Sequence, residues 1–225
     1  MEQIRVSVSL KKSIIGRLYG NIEVMSKENK LIRKGYDTIA PRYVLVRDQF
    51  KNDQYLEKLD ALLKPGSAIL DLGCGTGIPV DKFFVDRGHQ VTGIDISSKM
   101  IELAKRHVPV AKYLVKDISE LKREEYRVDA VVSFYSIIHI PKENHRELFT
   151  RINSFLPGGG LILVTLGKEE NEELGDYYGV EMYWSHYGPE QSREIIEEAG
   201  FEVIIDEIDA GGEEKCQYFL ARKTG

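Results

Sequence analysis

A glycine-rich stretch, Asp-Leu-Gly-Cys-Gly-Thr-Gly, occupies residues 71–77. It follows a short apolar run and precedes a helical pattern, so we expect it at the carboxyl end of a strand, where open α/β sheets bind ligands. Gly73, Gly75 and Gly77 would let the backbone approach a ligand closely. The amides at the start of the next helix could hold an anionic group. The stretch therefore predicts a ligand-binding loop.

Acidic residues end the strand before this loop and the next two predicted strands. Asp95 follows the loop by about twenty residues, the position at which a carboxylate can accept hydrogen bonds from both hydroxyls of a ribose. Asp117 ends the third strand. Since Asp71, Asp95 and Asp117 end three successive strands, we expect them to form an acidic crevice along one edge of a sheet.

The spacing argues against two phosphate-binding motifs. A nicotinamide fingerprint needs its third glycine where this chain has Ile78, and a P-loop needs Lys followed by Ser or Thr after its last glycine. The acidic crevice would also repel the pyrophosphate of a dinucleotide. S-Adenosylmethionine suits it better, because it offers a ribose, an adenine amine, a sulfonium, an ammonium and only one carboxylate. The residues therefore favour S-adenosylmethionine as the cofactor, with S-adenosylhomocysteine as its product.

The elements that must position these residues alternate between strands and helices. Strands are predicted over residues 68–72, 90–94, 112–115, 129–134, 161–165, 201–208 and 217–221. Helices are predicted over residues 78–87, 98–106, 143–155 and 189–199. This alternation predicts βαβ units and a parallel sheet covered by helices on both faces. Only a turn around Gly211-Gly212 joins the last two strands, so the last strand should be antiparallel.

The chain divides into an N-terminal extension over residues 1–27 and one α/β domain over residues 28–225. Apolar spacing predicts helices over residues 29–63, with a break or bend at Pro41 and a second helix over 49–63. Within the domain we expect four parts: a helical cap (28–63), a cofactor-binding half (64–166), a substrate-side loop (167–188), and a C-terminal helix and strand pair (189–225).

Residues 69–77, together with Asp95 and Asp117, resemble the class I S-adenosylmethionine-dependent methyltransferases over about residues 30–221. Residues 36–43, Tyr-Asp-Thr-Ile-Ala-Pro-Arg-Tyr, are similar to the N-terminal helix of small-molecule enzymes related to the ubiquinone and menaquinone C-methyltransferases. Residues 134–139 and 156–160 resemble the segments after the fourth strand and before the fifth. The resemblance implies a Rossmann-like sheet of seven strands in the order 3-2-1-4-5-7-6, with an N-terminal helical lid.

The resemblance also implies which residues contact the cofactor. The glycines would line the methionine moiety, Asp71 would hold its ammonium, Asp95 would bind the ribose, and Asp117 would bind the adenine amine. The full set of implied cofactor-binding residues is Tyr36, Tyr43, Asp71, Gly73, Cys74, Gly75, Gly77, Asp95, Ile96, Asp117, Ile118 and Phe134. Within this set, Cys74 is interpreted as a small residue in a tight loop and not as a nucleophile.

Aromatic residues crowd the stretch 175–188, which follows the fifth strand. They are Tyr177, Tyr178, Tyr183, Trp184 and Tyr187. Connections at this edge often form substrate walls, and aromatic rings suit a flat, apolar or cationic acceptor. The alternative is that these rings pack a long loop onto the sheet.

Two histidines are candidate general bases. His139 follows the fourth strand at the cofactor edge, and His186 lies in the aromatic stretch. Each could instead be an ordinary histidine bonded to the backbone. Methyl transfer by in-line displacement depends mainly on positioning, so the reaction class does not require a base.

Composition limits the remaining classes of function. The 225 residues carry a net charge of −5 and only two cysteines, Cys74 and Cys216, which argues against a nucleic-acid substrate and a disulfide framework. We find no dedicated metal-ligand set, membrane span or signal peptide, and we expect a cytoplasmic enzyme with a small-molecule acceptor. Three alternatives remain: a nicotinamide-dependent oxidoreductase, a non-catalytic S-adenosylmethionine-binding module, and a protein or RNA methyltransferase.

Overall fold

The computed structural model describes residues 25–47, 53–208 and 216–225. Most of the predicted extension, the start of the predicted second helix and the Gly211-Gly212 turn lie outside these residues. The helices and strands are α1 (Lys27–Arg47), α2 (Asp53–Asp60), β1 (Ala68–Leu72), α3 (Val80–Asp86), β2 (Gln90–Asp95), α4 (Ser98–His107), β3 (Lys112–Val115), β4 (Ala130–Ser133), α5 (His145–Phe155), β5 (Leu161–Gly167), β6 (Asn171–Tyr177), β7 (Val180–His186), α6 (Pro189–Glu198), β8 (Phe201–Ile208) and β9 (Cys216–Lys223).

Seven of the strands form one twisted sheet in the order β3-β2-β1-β4-β5-β9-β8. The pairs from β3 to β5 are parallel, and β9 runs antiparallel to both β5 and β8. The predicted strand order and the reversed last strand are therefore confirmed. Leu72 pairs with Ile94, and Asp95 pairs with Val115, so β1, β2 and β3 end at the same edge.

Two apolar layers hold helices against the sheet. One layer joins α5 and α6 to one face and includes Phe149, Phe155 and Ile196. The other joins α2 and α3 to the opposite face and includes Leu56 and Phe84. Strand β5 is buried along its whole length, as expected for a central strand covered on both faces. None of the helices in the described ranges is long and apolar enough to cross a membrane.

The stretch 167–188, predicted as a substrate-side loop, is mostly a β-hairpin and not a loop, and its position beside an acceptor stays a prediction. Strands β6 and β7 pair antiparallel from Asn171–His186 to Tyr177–Val180. The two turn residues, Tyr178 and Gly179, both have positive φ, as in a type I′ turn. Strand β6 contains Asn, Glu, Gly and Asp, residues with low strand propensity, which hid it from pattern-based reasoning.

Two helix boundaries also differ from expectation. Of the predicted break or bend at Pro41, the break is wrong, since α1 continues to Arg47. Its buried residues Ile39 and Tyr43 pack in an apolar cluster with Met100 and Met182, which supports a helix that lacks one backbone hydrogen bond. Helix α3 begins at Val80 and not at residue 78, because a residue that precedes proline disfavours the helical conformation.

Candidate functional site

A cavity of about 610 Å³, including its open mouth, lies at the carboxyl edge of β1, β2 and β4, beneath α1. We call it the first cavity. Nine predicted cofactor residues line it: Tyr36, Tyr43, Gly73, Gly75, Asp95, Ile96, Asp117, Ile118 and Phe134. The predicted base His139 also lines it, together with six residues that the sequence reasoning missed: Asn29, Ile32, Met100, Tyr135, Ser136 and Ile140. The cavity therefore brings together most of a residue set that is scattered along the chain.

Asp95 is held by backbone amides at the end of β2. Oδ1 accepts a hydrogen bond from the amide of Ser97 at 2.8 Å, and Oδ2 accepts one from the amide of Gly75 at 2.9 Å. Each oxygen keeps a lone pair for another donor. Burial raises the pKa of Asp95 to about 6, although the two amide hydrogen bonds act to lower it. The side chain is therefore a fixed acceptor that is ionised at neutral pH.

Asp117 links the sheet edge to α1. Its Oδ1 accepts hydrogen bonds from the amide and the hydroxyl of Ser119 at 2.8 and 2.7 Å. Its Oδ2 accepts one from the side-chain amide of Asn29 at 2.5 Å. Because Asn29 lies 88 residues earlier in the chain, its contribution could be found only from the fold.

Two of the three loop glycines, Gly73 and Gly77, leave no room for a Cβ atom. Gly73 has φ +78°, and a Cβ atom there would lie 2.3 Å from Cβ of Ser136. Asp71, Cys74 and Gly77 are not among the residues that line the first cavity. They belong to the layer beneath the loop, where a Cβ on Gly77 would lie 2.6 Å from the Tyr113 hydroxyl. Their direct contact with a cofactor stays a prediction.

Asp81 is a buried acid that the sequence reasoning missed. It lies in the first turn of α3, is fully buried, and has Asp71 and Tyr113 as polar neighbours. Among the described residues, neither of its carboxyl oxygens has a hydrogen-bond partner of normal geometry. Burial raises the pKa of Asp81 to about 7, against the opposing effect of its polar neighbours. Asp81 therefore keeps its proton over much of the acidic range.

Replacing Asp81 by asparagine should stabilise the protein at alkaline pH. In wild type the pKa of Asp81 is higher in the folded state than in the unfolded state. Protonated Asp81 therefore contributes to the free energy of unfolding at low pH, and this contribution is lost as the pH rises from about 4 through about 7. Asparagine does not ionise, so the free energy of unfolding of Asp81→Asn should exceed that of wild type by at least about 1 kcal/mol at pH 8. Near pH 4 the two free energies should be equal. Urea denaturation at both pH values measures this. Asp86→Asn, on the exposed side of the same helix, should show no such trend, and equal differences at both pH values would contradict the assignment.

A second cavity, of about 890 Å³ including its open mouth, adjoins the first. The two cavities share Tyr36, Tyr135 and His139. The second cavity is also lined by residues of the hairpin and the end of β5, including Tyr177, Trp184, His186, Gly167 and Lys168. Tyr135 has φ +57°, a strained conformation of the kind that clusters at functional sites.

His139 and Tyr36 form a hydrogen-bonded pair at the shared wall. The Tyr183 carbonyl can only accept, so Nδ1 of His139 donates to it at 2.7 Å. Nε2 then accepts the Tyr36 hydroxyl proton at 2.8 Å. Burial lowers the pKa of His139 to about 4, so the ring is neutral at pH 7 and Nε2 keeps its lone pair.

Three of the five predicted aromatic residues do not line either cavity. Tyr178 is at the exposed tip of the hairpin, against Tyr177. The Tyr183 hydroxyl bonds to Glu172, although its carbonyl holds His139. Tyr187 packs on the apolar layer next to α5, in edge contact with His145. A role of these three rings in acceptor binding stays a prediction, and the geometry gives them supporting contacts.

The residues of the first cavity fit S-adenosylmethionine. Asp95 presents one lone pair on each oxygen, which matches two ribose hydroxyls, and Ile96 and Ile118 supply an apolar wall for a flat base. Gly73 leaves no room for a side chain, so the loop backbone borders the cavity. Within the described ranges, no group of three or more His, Cys, Asp or Glu could hold a metal ion.

Comparison with known proteins supports the same class. A family model described as a methyltransferase domain matches residues 69–160. Phosphoethanolamine N-methyltransferase 3 of Arabidopsis thaliana is 31% identical over 170 residues, which cover 68% of this chain and 32% of that protein. A ubiquinone biosynthesis O-methyltransferase of Coxiella burnetii is 28% identical over 132 residues, which cover 57% and 55% of the two chains. The chain therefore spans about a third of the plant relative's length.

A solved structure has the same fold over nearly the whole domain. The 1,6-didemethyltoxoflavin-N1-methyltransferase of Burkholderia thailandensis matches with a TM-score of 0.70 at 18% identity, over 90% of this chain and 92% of that one. That structure contains its acceptor and S-adenosylhomocysteine. Sheet order, loop motif, strand-end acids and sequence relatives agree: residues 69–160 are a methyltransferase domain, and the chain has the fold of the class I S-adenosylmethionine-dependent methyltransferases.

Proposed function

We propose that this chain transfers a methyl group from S-adenosylmethionine to a small-molecule acceptor. The observation that carries the proposal is the pair of adjoining cavities, which have Tyr36, Tyr135 and His139 as a common wall. A cofactor in the first cavity and an acceptor in the second would meet at that wall. Such fixed positioning is the main contribution that an enzyme makes to an in-line displacement.

The first cavity would hold the cofactor through its acids and apolar walls. Asp95 would accept hydrogen bonds from the ribose hydroxyls, Asp117 would accept one from the adenine amine, and Ile96 and Ile118 would pack against the base. The bound cofactor supplies a methyl group on a positively charged sulfur, which becomes a neutral thioether when the methyl group leaves. The net negative charge of the strand-end acids favours such a cationic ligand.

His139 would take the proton of an O–H or N–H acceptor through Tyr36. The acceptor donates to the Tyr36 oxygen while the Tyr36 hydroxyl proton passes to Nε2 of His139, at a distance of 2.8 Å. A bond forms between the methyl carbon and the acceptor atom, and the sulfur–carbon bond breaks. The positive charge lost by the sulfur appears on the His139 ring, so the net charge of the site does not change.

The relatives support small-molecule transfer without selecting the acceptor atom. Their names include N-methylation of phosphoethanolamine, O-methylation in ubiquinone biosynthesis and N-methylation of a toxoflavin precursor. With a net charge of −5 and two cysteines in 225 residues, we propose action in the cytoplasm on a free small molecule and not on nucleic acid.

The direct test is incubation with S-adenosylmethionine and a panel of small hydroxyl, amine and thiol acceptors, with quantification of S-adenosylhomocysteine. Acceptor-dependent release of S-adenosylhomocysteine supports the proposal. A folded protein that binds the cofactor and releases none with the whole panel would contradict it.

Replacing Asp95 by alanine should abolish stabilisation by the cofactor. A ligand at one hundred times its dissociation constant stabilises a protein by about 2.7 kcal/mol, which should raise the unfolding midpoint of wild type by roughly 5–10 °C. Thermal unfolding with S-adenosylhomocysteine measures this, with the exposed Asp86→Ala as a control that keeps the shift. Since Asp95 has a pKa of about 6, the wild-type shift should also shrink at pH 5. A full shift in Asp95→Ala, or a shift with NAD alone, contradicts the assignment.

A further inference from the structure

His186 presents one unused ring nitrogen to the second cavity. Its ring packs directly over Gly167, where an added Cβ would lie 1.8 Å from Nδ1. Nδ1 donates a hydrogen bond to the Glu169 carbonyl at 2.7 Å, which fixes the proton on Nδ1 in the neutral ring. Nε2 is therefore an acceptor, and no described residue donates to it. The side chain is only 9% exposed, and it lines the second cavity but not the first.

Four aromatic rings line the second cavity, and its two charged lining residues have opposite charges. Tyr36, Tyr135, Tyr177 and Trp184 contribute rings, and Tyr177 and Trp184 meet edge to face at 6.0 Å. The charged side chains among its described lining residues are Lys168 and Glu169, which pair with each other at 3.5 Å. Rings provide a flat apolar contact surface, and the two opposite charges, both on largely exposed side chains, sum to zero.

We propose that the acceptor is an uncharged planar ring compound and that His186 determines specificity by accepting a hydrogen bond from a hydroxyl or ring N–H on it. This inference rests on the proposed function, in which the second cavity holds the acceptor. A neutral acceptor nitrogen buried among rings discriminates against a ligand that lacks the matching donor, because the nitrogen would then lose its bond to water without replacement. His139 serves the reacting group through Tyr36, and His186 would bind a second donor on the same ring.

The chain's single tryptophan makes acceptor binding measurable without turnover. Trp184 lines the second cavity, so its fluorescence should report a ring bound there. In protein saturated with S-adenosylhomocysteine, wild type should bind catechol about tenfold more tightly than 1,2-dimethoxybenzene, which has the same ring without hydroxyl donors. Benzyltrimethylammonium, a cationic ring compound, should bind more weakly than catechol.

Two substitutions separate the role of Nε2 from that of the ring. His186→Asn keeps a donor for the Glu169 carbonyl and removes the Nε2 acceptor, so the preference for catechol should fall to about onefold with an unchanged melting temperature. His186→Gln places an amide oxygen near the Nε2 position and should restore part of the preference. An unchanged preference in His186→Asn, tighter binding of the cation, or no quenching by any ring compound would overturn the inference. The first two outcomes leave the proposed function standing, whereas loss of the S-adenosylhomocysteine thermal shift in wild type would remove both.

Discussion

Replacing Gly73 by alanine is expected to lower the free energy of unfolding by about 2–5 kcal/mol and to weaken cofactor binding at least about tenfold. Two costs combine at this position: a left-handed backbone for a residue with a side chain, about 1–2 kcal/mol, and overpacking of about 1–3 kcal/mol. The added Cβ would lie 2.3 Å from Cβ of Ser136. Ser136 has little freedom to move, because its hydroxyl bonds to the Leu72 carbonyl at 2.7 Å and to the Ser133 hydroxyl at 2.6 Å.

Urea denaturation, with and without S-adenosylhomocysteine, measures both effects. Gly88→Ala is the matched control, since Gly88 has φ +84° with no atom within 4 Å of the added Cβ. It should show only the backbone cost of about 1–2 kcal/mol and normal cofactor binding. Adding Ser136→Gly to Gly73→Ala removes the colliding atoms and should recover part of the loss. If Gly73→Ala and Gly88→Ala lower the free energy of unfolding equally, the contact between the added Cβ and Ser136 costs nothing, and the prediction is wrong.

The strand-end acids could be placed from the sequence because parallel strands impose a common edge. Once Asp95 and Asp117 are assigned to the ends of neighbouring strands, the parallel pairing of β1, β2 and β3 places both residues at the same edge of the sheet. It was harder to predict whether a residue of the glycine loop faces the cavity or the packed layer beneath the loop. Gly77 faces Tyr113 beneath the loop and not the cavity, and such orientation depends on how the strand and helix pack.

Long-range partners and the hairpin could not be predicted by the same reasoning. The Tyr36–His139 bond joins residues 103 positions apart, and a single sequence carries no local signal for such a pair. Strand β6 is polar and mostly exposed, so it lacks the alternation that identifies a strand. The available sequence signal was Gly179, a residue that adopts the positive φ of a tight hairpin turn without strain. The hairpin forms part of the wall of the second cavity, so the shape of that wall could not be predicted either.

Replacing His139 by alanine is expected to lower kcat by about 10²–10⁴-fold at saturating cofactor, the range for loss of a positioned general base. Tyr36→Phe removes the hydroxyl that connects the acceptor to Nε2, and its loss should be comparable. Because the two side chains would act as one proton relay, the double variant should be no slower than the slower single variant. Initial rates with any acceptor that wild type methylates measure this. Tyr126→Phe, a ring that packs on Phe155 away from both cavities, should retain wild-type kcat.

His139→Gln distinguishes a base from a residue that only positions Tyr36. The glutamine oxygen can still accept the Tyr36 hydroxyl, but an amide does not take up a proton at neutral pH. If His139 only positions Tyr36, this variant should recover most of kcat, which would contradict the proposed relay. If His139 is the base, His139→Gln should be as slow as His139→Ala while its thermal shift with S-adenosylhomocysteine stays normal.

The pKa of His139, about 4, adds a test by pH dependence. Wild-type kcat should be independent of pH above about 5, since Nε2 is already unprotonated there, and a rise in kcat centred near pH 7 would assign the base to a different group.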